Sequence, residues 1–169
     1  MIKKILMIPI IFLILGIIIG FISGTNHNFK FTPIKTELLF IDVLSHNLMI
    51  IFYILIGSLT FGIVSIFIIV LNGIVVGILV GSFWDTKFST YVFLNIFPHG
   101  IIEIISYIFA FMGALLIQRY IWNILKYRKN KSLSNINLNM LKCTYLYNAF
   151  KFIIASIILI FISTIIEVF

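Results

Sequence analysis

Apolar residues run through this chain in four long blocks, 5–22, 48–80, 101–117 and 150–161, the last extending to 168. Each of the first, third and fourth approaches the roughly 20 apolar residues that one helix needs to cross a bilayer. The second, taken with its flanks as 43–84, is about twice that length. It fits either two crossings or one long tilted helix with a re-entrant piece. Its small and turn-tolerant cluster is Gly57-Ser58-Leu59-Thr60-Phe61-Gly62, where two crossings would be joined.

Composition places the chain in a membrane. It is 62% hydrophobic and 10% charged, which no water-soluble core of 169 residues requires. The +7 net charge therefore reads as topology and phospholipid contact. No basic-aromatic groove accompanies it, and nucleic acid is excluded as a partner. Charge also decides the count of crossings. Lys3 and Lys4 precede the first block, and Arg119, Lys126, Arg128, Lys129, Lys131 and Lys142 follow the third. Cytoplasmic loops carry the excess of Lys and Arg, so both regions belong on one side. An even number of crossings must separate them, and two crossings for 43–84 satisfy this.

The expectation is an all-α fold, an integral membrane bundle of about five transmembrane helices forming one domain over 1–169. The helices fall roughly at 5–23, 43–58, 61–83, 98–119 and 148–168. The N-terminus lies in the cytoplasm and the C-terminus outside the cell membrane. Met1-Ile2-Lys3-Lys4 and the apolar run after it resemble a signal peptide, but no small-x-small cleavage site follows, so an uncleaved first span is expected. Trp84, Tyr91, Tyr120, Trp122 and Tyr127 sit at span ends, as an interfacial aromatic belt does. The basic segment 119–147 is expected on the inner leaflet, where each Lys or Arg contributes about 1 kcal/mol against anionic lipid. Docking of a cytoplasmic partner there is the alternative.

Two ridges of small residues have four-residue spacing: Gly16, Gly20 and Gly24, then Gly73, Gly77 and Gly81. Such ridges let helix backbones approach closely, and packing replaces the hydrophobic effect that lipid cannot supply. Internal packing is the first reading, and a homo-oligomer or partner span the second. Gly24 alternatively ends the first helix. The fourth helix has a stripe of its own: His99, Glu103, Ser106 or Tyr107, Ala110, then Gly113 or Ala114, a face that should meet protein.

Candidate chemistry is sparse. Pro98 suits a first helical turn, and His99 and Glu103 then stand four apart on one face, where a structural pair is expected. An ionisable residue within a span is a functional-site hypothesis by default. Asn47 and Asn72 lie in apolar runs and are expected to hydrogen-bond across helices, at about 0.6–2 kcal/mol per bond. Asn95 is placed to cap the fourth helix or to satisfy the loop backbone. The polar cluster is thus Asn47, Asn72, His99 and Glu103, with Gly16, Gly20, Gly73, Gly77 and Gly81 as packing positions. Cys143 is alone, so neither an internal disulfide nor a cysteine metal cluster can form. A zinc site from His46, His99 and Glu103 needs the second and fourth helices to meet. No nucleophile-and-base set is visible, so no cofactor and no enzyme activity are expected. A small transporter lined by the polar cluster is the competing class.

The ordered pieces Asn47, Gly57-Ser58-Leu59-Thr60-Phe61-Gly62, Leu71-Asn72-Gly73 with Gly77, and Pro98-His99-Gly100 with Glu103 and Gly113 resemble the stage II sporulation protein M family of multi-pass membrane proteins. The resemblance covers 42–116; the first and last helices match only as generic spans. It implies a membrane scaffold that holds cell-wall-acting partners, a transglycosylase and an amidase or endopeptidase, at the septal membrane during engulfment of the forespore. Expected partners are therefore the lipid bilayer and other membrane or cell-wall-acting proteins. This chain is short for that role, and its segment 23–42 offers little outer surface.

Overall fold

The computed structural model describes residues 2–26, 39–84, 90, 94, 97–129 and 142–168. Among them every regular element is a helix. The elements are α1 (Ile2–Asn26), α2 (Phe40–Ile56), α3 (Ile63–Phe83), α4 (Phe97–Lys129) and α5 (Tyr147–Val168), the last entered through a π-helical turn at Lys142–Leu146. Four of the five, all except α2, are long and apolar enough to cross a membrane. α2 has 17 residues, about 26 Å of helix, a little short of the roughly 30 Å hydrocarbon core. Large apolar side chains such as Ile11, Ile18, Phe52, Phe67, Ile154 and Phe161 point outward. In water that surface would be untenable; in a bilayer it faces lipid. The protein is a multi-pass membrane protein.

α1 and α3 lie along one another in parallel, and the two glycine ridges form their seam. A Cβ on Gly16 would run into the Val70 carbonyl and come within 3.1 Å of Gly73 Cα. One on Gly20 would strike the Ile74 carbonyl, and one on Gly77 the Ile17 carbonyl. Gly81 meets the Phe21 backbone. Gly24 does not end α1: the helix continues to Asn26, and Gly24 packs on Ile78 and Ser82.

The turn between α2 and α3 occupies 57–62 and is held by its own backbone. The Gly62 N–H donates to the Gly57 carbonyl at 2.8 Å, and Phe61 and Gly62 both take positive φ, 53° and 83°. Phe61 accepts a left-handed conformation that L side chains rarely adopt; its ring packs edge-on against Trp122 of α4. Ser65 Oγ donates to the Ile54 carbonyl at 2.6 Å, tying the start of α3 to the end of α2. A Cβ on Gly57 would collide with that hydroxyl.

α4 is the central helix, with the largest buried share of the four long spans. One side, with Tyr107, Ala110, Phe111 and Ala114, enters a core with Ile51 and Ile54 of α2, Ile69 of α3 and Ile160 of α5. The other side packs antiparallel on α5, where a Cβ on Gly113 would come within 2.9 Å of Ile153. Ser106 Oγ donates to the Ser156 carbonyl at 3.0 Å. α4 also runs past the end expected at 119, continuing through Trp122 to Lys129. The basic residues Arg119, Lys126, Arg128 and Lys129 therefore belong to this helix.

Candidate functional site

Glu103 lies one and a half turns into α4, on the face that meets α2. There Asn47 Nδ2 donates to Glu103 Oε1 at 2.6 Å. The Asn47 side chain is 5% exposed, and its other end is used as well: Tyr107 Oη donates to Asn47 Oδ1 at 2.9 Å. Tyr107 follows Glu103 by one helical turn, so a single α2 amide bridges two successive positions of α4. The polarity of the chain Tyr107, Asn47, Glu103 fixes the amide orientation, because only its nitrogen can donate to the carboxylate. A charge-assisted bond of this kind is the stronger sort, and in a medium without water its loss is costly.

These groups sit at the deep side of an opening of about 450 Å³, at the end of the bundle where α2 and α4 begin and α5 ends. Asp42, His46 and Glu167 line it nearer that end, and Asn72 and Val75 border it on α3. Three of the chain's five acidic residues, Asp42, Glu103 and Glu167, thus converge on one opening.

Not every candidate joins this site as expected. Asn72 makes no bond across helices; its Nδ2 donates to the Ile68 carbonyl one turn back at 2.9 Å, the local competition that Asn side chains offer inside a helix. It reaches the site only as a wall of the opening. His99 does not pair with Glu103. Its Nδ1 is buried without a hydrogen-bond partner, while its backbone carbonyl accepts from Ser163 Oγ of α5 at 3.0 Å. α2 and α4 do meet, yet among the described residues no group of three His, Cys, Asp or Glu is placed to hold a metal ion. His46 and Glu103 share the opening, whereas His99 is absent from its lining. Asn95 lies outside the described residues.

Sequence reasoning passed over three contributors. Glu167 stands at the same end of the bundle as Glu103 if five crossings are counted, and that parity was the available signal. Tyr107 was visible only as an alternative to Ser106 on the stripe. In α5 the buried Ala149, Ser156 and Ser163 recur every seven residues, a small-residue seam as regular as the glycine ridges.

No solved structure matches the chain. An uncharacterized protein of Methanocaldococcus jannaschii is 32% identical over 166 residues, an alignment covering 92% of this chain and 86% of that protein. Residues 9–169 match the family described as Stage II sporulation protein M. That match takes in α1 and α5, which by sequence inspection had looked like generic spans. The chain belongs to the stage II sporulation protein M family.

Proposed function

We propose that this protein is a membrane scaffold, an anchor for other membrane or cell-wall-acting proteins that performs no catalytic step of its own. The observation that carries the reading is how the buried polar and small residues are used. Asn47 joins α2 to Glu103 and Tyr107 of α4, Ser106 and Ser163 join α4 to α5, and the glycine seam joins α1 to α3. Groups that would otherwise mark a reaction or a conduction path are engaged in holding helices of this chain together. What remains outward is an apolar surface suited to lipid and to partner spans.

In the namesake's setting such a scaffold holds peptidoglycan-remodelling enzymes during sporulation. The archaeal relative favours the membrane module itself as the family's common element, with the anchored partner varying between hosts. The basic stretch around Arg119 and Lys126 supports an orientation with that end of α4 in the cytoplasm, the N-terminus on the same side and the C-terminus outside. Removing the protein from its host and fractionating the membranes tests the reading. A defined set of membrane or wall-acting proteins should lose its membrane position. Unchanged placement of all of them would remove the scaffold function.

A further inference from the structure

We infer that Tyr147 and Lys151 of α5 form a seat for the phosphate of an anionic phospholipid, whose acyl chain runs along the outer face of the same helix. The site lies apart from the Glu103 opening and does not depend on the anchoring of partner proteins.

Lys151 stands inside the apolar span Thr144–Val168, four residues past Tyr147 and so about 6 Å deeper along the helix. Its side chain is exposed, and helical spacing puts it on the side of α5 opposite the buried Ala149, Ser156 and Ser163. A lysine on the lipid-facing side of a span is costly unless its ammonium reaches the interface. The geometry supplies the route. Side chains on a helix lean toward its N-terminus, and Lys151 Nζ lies 4.3 Å from the centre of the Tyr147 ring, on the way to the nearer end of the span. The ring is itself 61% exposed, so its π face steadies the ammonium without enclosing it. An ammonium has three N–H donors, and one ring face cannot take them all. Ile154 and Ile158, both exposed, continue the same stripe deeper into the bilayer, a surface fit for an acyl chain. Charge selects the headgroup. Because α4 and α5 run antiparallel, α4 carries Arg119 and Lys126 at this end of the bundle, the end proposed above to face the cytoplasm. A net-negative headgroup gains from these cations, whereas a zwitterionic one brings its own ammonium against them. A partner span bearing a carboxylate could meet the same ammonium, but a cation that leans toward the end of its span suits a headgroup better.

The test uses the full chain with Trp84→Phe and Trp122→Phe, and with Tyr147→Trp as a reporter that keeps an aromatic face for Lys151. In dioleoyl vesicles the reporter is quenched by lipids with brominated chains that touch it. Competition between brominated phosphatidylglycerol and brominated phosphatidylcholine then gives their relative affinity at this position. Phosphatidylglycerol should be favoured about fivefold, the advantage one cation gives near anionic lipid. Lys151→Gln should abolish the preference, Lys151→Arg should keep it, and Lys126→Gln should leave most of it. Both Lys151 substitutions lie on the exposed face and leave the packing of α5 untouched. Inorganic phosphate in the buffer should not compete; competition would show a free-anion site and overturn the proposal. Equal affinity for the two lipids would overturn it too. So would a preference that Lys151→Gln leaves intact, or one that Lys126→Gln removes equally, which is diffuse attraction to the surface. Failure of both lipids to quench the reporter would mean that a second copy of the chain covers this face, and the lipid seat would be lost.

Discussion

Asn47 adds two side-chain hydrogen bonds to the apolar packing of α2 on α4, since its amide is bonded at both ends. Replacing it by Leu, of similar size, removes a bond from both the Glu103 carboxylate and the Tyr107 hydroxyl, at about 1–3 kcal/mol for each buried group. Tyr107→Phe removes one donor and leaves Asn47 bonded to Glu103, for about 1 kcal/mol. Thermal midpoints in detergent should therefore fall in the order Asn47→Leu well below Tyr107→Phe. Glu103→Gln should fall least, because its amide oxygen still accepts from Asn47, while Glu103→Ala should approach Asn47→Leu. Equal losses for all four would mean that the bonds contribute nothing and only packing counts. Asn47 and Glu103 were legible in the sequence because polar side chains inside apolar runs must find partners. Which partner was not legible. Helical spacing placed His99 beside Glu103, but only the approach of α2 decided that Asn47 takes the carboxylate.

At the scale of elements, the seam between α1 and α3 depends on the absence of side chains. Gly77→Ala already places a carbon against the Ile17 carbonyl and 2.7 Å from the Phe21 nitrogen, so α1 must shift, and Gly77→Leu must separate the helices. Gly100 has nothing within 4 Å of its Cβ position, and Gly100→Ala should be neutral or gain up to about 1 kcal/mol from helix propensity. Comparing the two Ala variants by thermal denaturation separates packing from a general intolerance of substitution; comparable stability would place the Gly77 face toward lipid. In α5, Ser156→Leu should likewise wedge α4 and α5 apart, since Ser156 is fully buried against Ser106. The four-residue glycine spacing gave the ridges away, but not that they meet each other, because parallel packing of α1 on α3 depends on α2 crossing between them in sequence. The end of α4 was misplaced because apolarity stops near residue 117 while helix formation does not: Gln118 to Lys129 contains no Gly or Pro and so continues the helix.

For the whole molecule, the membrane class and the five long helices among the described residues were readable from hydropathy, since a bilayer admits few other solutions. Orientation is testable with single cysteines introduced in a Cys143→Ser background and an impermeant thiol reagent on intact cells. Positions 27 and 87 should label, and positions 130 and 135 should not; labelling at 130 together with 87 would break the charge-parity topology. Partner choice, by contrast, was not legible, because outward apolar faces look alike whether they meet lipid or another span. A bundle proposed to anchor other proteins, with its polar groups serving the bundle itself, must position those proteins in the membrane. The most direct measurement is membrane proteomics of cells lacking the protein, complemented by the wild type or by Glu103→Gln verified as folded. A restricted set of membrane or wall-acting proteins should leave the membrane fraction on removal and return with both complementing chains. If nothing moves on removal, or if the folded Gln variant fails to restore what the wild type restores, the scaffold account is contradicted.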